Sequence, residues 1–224
     1  SFLCNLLIHH DSRTPRFCGS RYSNKPDREN VDFRNNLLYN WGANNAYGAE
    51  GGSYNIVNNY YKPGPASSNR GRLLQPYADD GKNAQPKGTH GRFYLSGNYV
   101  SGNNSVTANN SLGVHLHSTF ATHAPGVTLD DILAESEFVM AETSTVSAAE
   151  AYEQVLQKAG SSRSRDAIDS RLVEETRTGT TTFKGLNPQN SDPYPKPGII
   201  DSQEDLKPAD VGADWTAWPA LAEG

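Results

Sequence analysis

Asp32–Trp41, DFRNNLLYNW, and Ser53–Lys62, SYNIVNNYYK, are two versions of one pattern, in which an asparagine precedes bulky apolar residues. The pattern also occurs in FLCNLLIHH near the start of the chain and in RFYLSGNYVS at 92–101. The four segments align on Asn5, Asn36, Asn59 and Asn98, at spacings of 31, 23 and 39 residues. Repeats of about this length are typical of solenoids, in which each repeat stacks on the next.

The repeated segments predict short strands, because they are β-branched or aromatic and are bounded by Gly, Asn, Asp or Pro. Asparagines stacked between coils hydrogen-bond along the solenoid axis and tolerate left-handed backbone geometry. We therefore predict an all-β protein, part of a right-handed parallel β-helix. An antiparallel β-sandwich with asparagine-rich turns is the alternative, but it requires tight hairpin signals, and the sequence has few of them.

The composition excludes some classes of function. The chain has 224 residues, a net charge of −5 and a pI near 5.7, with no basic stripe that would neutralise phosphates. We therefore predict no nucleic-acid partner. The apolar runs are far shorter than the roughly 20 residues that a membrane span needs, so no span is predicted. We expect a monomer.

The beginning of the chain and its two cysteines say less about the compartment. Ser1 is followed directly by strand-like residues, so we interpret the chain as the C-terminal part of a longer protein. Cys4 and Cys18 form a disulfide if their strands are stacked, and are otherwise two buried free thiols.

The second half of the chain is predicted to pack on the first. We divide the chain into coils and loops at 1–125 and, at 126–224, an extended return segment, a helical pair and a docking arm. The first helix has a capping box, Ser147 with Glu150, and the second ends at Gly179. Trp215 and Trp218 are expected to anchor the arm, and no chemistry is expected in the helices.

The most polar stretch is HHDSRTPRFC at 9–18, which follows the apolar run FLCNLLI. It places two imidazoles, a carboxylate and two guanidiniums around one proline. So many polar groups at the end of a buried strand favour a functional edge. A charged surface loop is the structural alternative.

This stretch, together with VDFRNNLLYNWGANNAYGAEGGSYNIVNNYYKPGP and AAEAYEQVLQKAG, resembles bacterial pectate lyases of polysaccharide lyase family 1. The resemblance implies a secreted or cell-surface, calcium-dependent parallel β-helix enzyme that cleaves polygalacturonate or pectin by β-elimination. It aligns Arg13-Thr14-Pro15 with the family's Arg-x-Pro motif, which makes Arg13 the base that removes the proton from carbon 5. Cys18 departs from the family pattern, which has a second arginine there.

The resemblance also suggests residues that bind the substrate. Arg16 and Arg21 are candidates to contact the uronate carboxylate in place of the missing arginine, and His10 and Lys62 are further candidates. An arginine can act as a base only where nearby cations in a cleft lower its pKa. Alternatively, Arg13 clamps the uronate carboxylate through bidentate hydrogen bonds.

Calcium is the natural electrophile for this reaction, because it neutralises the carboxylate next to the carbon that loses its proton. The family's calcium ligands and a catalytic lysine lie upstream of Arg-x-Pro, so we expect them in an N-terminal half and expect this chain alone to have little or no activity. The alternative function is a non-catalytic β-helix module that binds acidic polysaccharide.

Other polar residues favour structural interpretations. His115, His117 and His123 have metal-like spacing, but no carboxylate or cysteine nearby completes a site. Glu50, in the glycine-rich loop YGAEGG, is predicted to serve the turn.

Overall fold

A computed structural model describes residues 1–182 of the chain. The predicted docking arm with Trp215 and Trp218 lies outside these residues. The strands are β1 Phe2–Leu3, β2 Leu6–Ile8, β3 Arg16–Phe17, β4 Asn30–Arg34, β5 Leu37–Tyr39, β6 Ala46–Gly48, β7 Ser53–Val57, β8 Tyr60–Lys62, β9 Leu74–Pro76, β10 Arg92–Ser96 and β11 Tyr99–Val100. The helices are α1 Asn104–Ala108, α2 Thr119–His123, α3 Leu129–Ile132, α4 Ala148–Lys158 and α5 Ala167–Thr178.

The strands form three sheets, and the paired strands in each sheet are parallel. Sheet 1 has the order β1-β4-β7-β10, sheet 2 β2-β5-β8-β11 and sheet 3 β3-β6-β9. The chain visits the three sheets in turn and then returns to sheet 1 beside its previous strand. This architecture is consistent with the predicted parallel β-helix. The antiparallel sandwich is not found in the described part of the chain.

A ladder of asparagines marks the corner between sheets 1 and 2. Asn36 Oδ1 accepts hydrogen bonds from the backbone N and Nδ2 of Asn5, at 3.0 and 2.8 Å, and the same pair of bonds continues along the stack. Asn59 Oδ1 accepts from the backbone N and Nδ2 of Asn36, and Asn98 Oδ1 accepts from the backbone N and Nδ2 of Asn59. The predicted ladder is therefore confirmed. It gains a fifth member, Asn110, which lies 12 residues after Asn98.

The residues just before the ladder asparagines have left-handed backbones, which turn the chain between the sheets. Cys4, Asn35 and Asn58 have φ values of 56°, 54° and 52°, and Gly97 has 66°. Asparagine and glycine adopt this conformation at low cost. The pairs NN, NN and GN are thus a local signal for this corner.

Aromatic side chains fill the interior of the stack. Phe33, Tyr54 and Phe93 come from successive strands of sheet 1, and Phe17 contacts the first two from sheet 3. Tyr54 and Phe93 stack with ring centroids 5.2 Å apart. Since all four are buried, each coil contributes to one continuous core.

The segment after residue 125, predicted to be extended, begins with the short helix α3 and then runs along sheet 1 in the direction predicted. Leu133 pairs with Phe93 of β10, Phe138 N donates to Asn55 Oδ1, and Val146 N donates to Asn35 Oδ1. The segment therefore passes from β10 back to β4.

The predicted caps of both long helices are present. Ser147 and Glu150 form the capping box of α4, and Gly179, with φ of 76°, ends α5. Val155 and Leu156 of α4 pack on Leu37 of sheet 2. The side chain of Glu175, on α5, is buried as well, which the sequence pattern did not predict.

His9 tethers α5 to sheet 2. Its Nε2 lies 2.7 Å from Glu175 Oε2, and its Nδ1 lies 3.0 Å from Asn40 Nδ2. The amide nitrogen of Asn40 can only donate, so His9 Nδ1 accepts and His9 Nε2 carries the proton. The neutral ring is therefore the form that fits. Arg171 Nη1 and Thr182 N donate to the other oxygen of Glu175.

Because of this tether, we expect the protein to become less stable as pH decreases. Burial lowers the pKa of His9 more than Glu175 raises it, with Arg171 and His10 adding to the decrease. A folded pKa below the unfolded value of about 6.5 means that unfolding takes up a proton, so the stabilisation is complete above that pH and is lost as pH falls below it. The pKa of Glu175 is also lowered, which adds a loss below about pH 4.5.

Urea unfolding of wild type and His9→Gln between about pH 7.5 and about pH 5, the range in which histidine titrates, tests the pH dependence of this tether. The wild type is expected to lose more stability than His9→Gln over this range. Equal losses would contradict the role of His9.

Glu175→Ala is expected to cost about 2–3 kcal/mol at neutral pH, because it leaves the buried Nε2 of His9 without its acceptor.

Candidate active site

The polar stretch at 9–18 forms the turn from sheet 2 into sheet 3. His10 O accepts a hydrogen bond from Gly42 N at 2.9 Å, and Thr14 N donates to Asn45 O at 3.3 Å, so the turn is tied to the next coil. The Thr14–Pro15 peptide bond is cis. Phe17 then points into the core, which leaves Arg16 on the outer face of sheet 3.

Arg13 is the exposed cation of this turn. Its backbone is left-handed, with φ of 65°, and its side chain is exposed. Within residues 1–182 its guanidinium has no hydrogen-bond or ion-pair partner. All of its donors are therefore available to an anionic ligand.

Arg16 and Arg21 converge on Glu50. Arg16 Nη2 donates to Glu50 Oε1 at 2.7 Å, and Arg21 Nη1 lies 3.4 Å from the same oxygen. Glu50 is only 3% exposed. It follows β6, and the glycine-rich loop lets the backbone approach closely: a Cβ on Gly51 would lie 2.1 Å from Ser20 Oγ.

A second carboxylate supports this cluster from below. Gln85 Nε2 donates to Glu50 O at 2.7 Å and to Asp79 Oδ2 at 3.0 Å, and Ser20 Oγ donates to Gln85 Oε1 at 2.6 Å. Arg21 Nε lies 3.7 Å from Asp79 Oδ2. Two arginines are thus held by two buried carboxylates, and Arg16 is fixed in place beside the turn of Arg13.

Burial affects the Glu50 carboxyl more strongly than its two arginine neighbours do. Burial raises the pKa of Glu50, and the neighbouring Arg16 and Arg21 offset part of that rise. Its Oε2 is buried and accepts no hydrogen bond from the described residues. Glu50 is therefore more than the turn residue that the sequence predicted, since it positions the two predicted substrate arginines.

Aromatic rings extend the outer face of sheet 3 beyond Arg16. The guanidinium of Arg16 lies 5.7 Å from the ring centre of Tyr47, which is 5.7 Å from Tyr77. Tyr77 stacks on His117 with centroids 3.8 Å apart and planes within 7°. Tyr77 and His117 are partly exposed, whereas Tyr47 is buried, so of these three rings only Tyr77 and His117 present surface to a ligand.

Two predicted substrate residues lie elsewhere. Lys62, at the end of β8, donates to Thr176 O and Arg177 O at 2.7 and 3.0 Å and so caps the C-terminus of α5. His10 lines a groove of about 340 Å³ between β2 and the residues around α4 and α5, including Arg165 and Asp169. The structure brings Arg16 and Arg21 together at Glu50, and it does not bring Lys62 to them.

The described residues offer no calcium cage. No group of three or more His, Cys, Asp or Glu residues within 1–182 is arranged to hold a metal ion. Glu50 and Asp79, the buried carboxylates nearest to Arg16, already face arginines. Of the spaced histidines, His117 stacks on Tyr77 and His123 Nδ1 contacts Ala78 O at 3.1 Å.

The cysteines are free, and both are exposed, which corrects the expectation that free thiols would be buried. No helix in the described part of the chain is long and apolar enough to cross a bilayer.

Comparison with known proteins gives a consistent picture. No protein-family model matches the chain. A protein named probable pectate lyase C from Aspergillus flavus is 28% identical over 183 residues, which is 80% of this chain and 36% of that protein. Its namesake from Aspergillus terreus is 29% identical over 189 residues, 81% of this chain and 37% of that protein.

The chain is related to pectate lyases. The relative from Emericella nidulans, also named probable pectate lyase C, is 26% identical over 218 residues and covers 96% of this chain. These relatives are fungal, so they do not support the predicted bacterial origin. The chain spans 36 to 43% of the length of these pectate lyases.

Proposed function

We propose that this chain carries the arginine edge of a pectate lyase site, on a right-handed parallel β-helix of the polysaccharide lyase family 1 type. The observation that carries the proposal is the guanidinium of Arg13, which has no partner within residues 1–182 and lies three residues before Arg16, the arginine that Glu50 holds together with Arg21. The relationship to proteins named pectate lyase supports the choice of polygalacturonate as substrate.

The reaction proposed is β-elimination. A base removes the proton from carbon 5 of a uronate, the electrons of that bond form the double bond between carbons 4 and 5, and the bond from carbon 4 to the glycosidic oxygen breaks. The leaving oxygen takes up a proton. Arg13 is proposed to act at carbon 5, and Arg16 to bind the uronate carboxylate through charge-assisted hydrogen bonds.

Glu50 fits this division of labour. It occupies one side of the Arg16 guanidinium, so the remaining donors are fixed in direction before substrate arrives. Preorganised donors cost no reorganisation during the reaction. Arg21 shares Glu50 and Asp79 and is proposed to set the charge around Arg16.

Calcium remains a proposed cofactor. The carboxylates within residues 1–182 do not provide a site for it, so its ligands are proposed to lie in an upstream half of the protein. We further propose that the protein is secreted or at the cell surface, that it acts as a monomer, and that this chain alone has little or no activity.

The alternative is a non-catalytic module that binds acidic polysaccharide. It is favoured by the lack of a metal cluster within 1–182 and by the exposed Cys18, which stands in place of the family's second arginine. The partly exposed rings of Tyr77 and His117 serve binding equally well.

Mass analysis of the products separates these functions. The complete polypeptide is incubated with polygalacturonate and calcium, and the fragments are weighed. Elimination adds no water, so each cut by a lyase gives one fragment of ordinary mass and one unsaturated fragment that is lighter by one water molecule. Fragments that all have ordinary mass would indicate hydrolysis, and retained binding without fragments would indicate the binding module; either result rejects the lyase.

A further inference from the structure

Arg72 is a buried arginine on the loop between β8 and β9. It is 7% exposed. Its Nη2 donates to the side-chain oxygen of Asn44 and, at 3.4 Å, to Ala43 O. Its Nε is buried and donates to no acceptor among the described residues. Nothing in the sequence singled this residue out.

The guanidinium of Arg72 has no anionic partner in the described part of the chain. None of the ion pairs within 1–182 includes it, although the chain has a net charge of −5. Burial lowers the pKa of Arg72, and the nearby Tyr77 offsets part of the decrease. A buried charge without a partner is costly, so such groups usually pair with a counter-ion.

The surroundings of Arg72 belong to the outer face of sheet 3. Arg72 precedes β9, and Tyr77, which stacks on His117, follows the same strand. Burial lowers the pKa of His117, and the positive charge of Arg72 lowers it further. Asn45 Nδ2 donates to Arg72 O, which fixes this part of the backbone to the preceding coil. Arg72 and the aromatic pair therefore flank one strand of sheet 3.

We propose that Arg72 is a carboxylate-binding subsite for an acidic sugar residue, with Tyr77 and His117 as the wall for its ring. The inference rests on the proposed function, which supplies the acidic polysaccharide. Arg72 leads into β9, and Arg13 leads into β3, two strands away in sheet 3. Neighbouring strands are about 4.8 Å apart, so one chain of linked uronates lying along sheet 3 can reach both arginines.

A purely structural role for Arg72 makes different predictions. If the bonds to Asn44 and Ala43 were its purpose, Arg72→Gln would destabilise the fold and leave the affinity of the folded protein unchanged. A ligand subsite instead carries an unpaired buried charge in the free protein. Arg72→Gln removes that charge, so we expect the urea midpoint to stay constant or rise while affinity falls.

The test is calorimetric titration of the complete polypeptide with a trimer or longer oligomer of galacturonate, without calcium. Arg72→Gln is expected to weaken binding about 10- to 100-fold, since hydrogen bonds to a charged group are lost. Arg72→Lys keeps the charge without the planar fork and is expected to fall in between. Arg70→Gln is the matched control, because Arg70 is exposed on the same loop and carries the same charge; it is expected to bind like wild type.

A methyl-esterified oligomer serves as the second ligand, since it lacks the carboxylate charge. Wild type and Arg72→Gln are expected to bind it equally weakly. Oligogalacturonate binding that Arg72→Gln and Arg70→Gln share with wild type would overturn the subsite and leave the proposed function standing. Wild-type protein that binds no oligogalacturonate in the absence of calcium would also overturn the subsite, and the product masses formed in calcium then decide the proposed function separately.

Discussion

Replacing Arg13 by Lys is expected to lower kcat on polygalacturonate by roughly 10²–10⁴-fold, the usual contribution of a positioned acid or base. The folded protein is expected to be unchanged, because Arg13 is exposed and has no partner within residues 1–182. Arg70→Lys is the control, since it makes the same substitution at another exposed loop position.

The kinetic constants separate the two roles that the sequence leaves open for Arg13. Loss in kcat with KM nearly constant indicates a group that acts in the transition state. A rise in KM with kcat retained indicates a clamp on the uronate carboxylate instead. Activity equal to wild type in Arg13→Lys would move the reacting group to another residue.

Asn59→Asp is expected to destabilise the protein by about 3–5 kcal/mol at neutral pH. Asn59 is fully buried and takes part in bonds to both neighbours of the ladder: its Oδ1 accepts from Asn36, and its Nδ2 donates to Asn98 Oδ1 at 2.9 Å and to Phe33 O. An aspartate loses both donated bonds and places a negative charge against two oxygens.

Urea unfolding measures this loss, with Asn30→Asp as the control. Asn30 is exposed at the start of β4, so the same charge there is expected to change stability by less than about 0.5 kcal/mol. At low pH the introduced carboxyl is protonated and can donate again, so part of the stability is expected to return. Equal stability of the two variants would show that the ladder contributes little.

The fold could be predicted from the sequence because the same asparagine motif recurs once in each coil. The ladder asparagines are a local signal, and they predicted the hydrogen-bonded stack that the structure shows between sheets 1 and 2. Asn110 escaped because it reaches the ladder from a 3-10 helix, only 12 residues after Asn98, and not from another coil.

The site was less predictable, because stacking joins residues from different coils. The bond from Arg16 to Glu50 spans 34 positions, and the one from Gln85 to Glu50 spans 35. No local pattern marks such pairs. Lys62 is a plausible ligand as an isolated cation at a strand end, but the helix carbonyls that hold it come 114 and 115 positions later.

The decisive measurement for Arg13 is the rate at which the complete polypeptide forms unsaturated uronides from polygalacturonate, followed by ultraviolet absorbance in the presence of calcium and then after a chelator is added. We expect the absorbance to rise steadily while calcium is present and to stop rising after the chelator is added. Arg70→Lys is expected to retain this rise, and Arg13→Lys is expected to lose nearly all of it. An absorbance that does not rise in the presence of calcium, or that rises equally fast in Arg13→Lys, would contradict the assignment of this arginine edge to a pectate lyase.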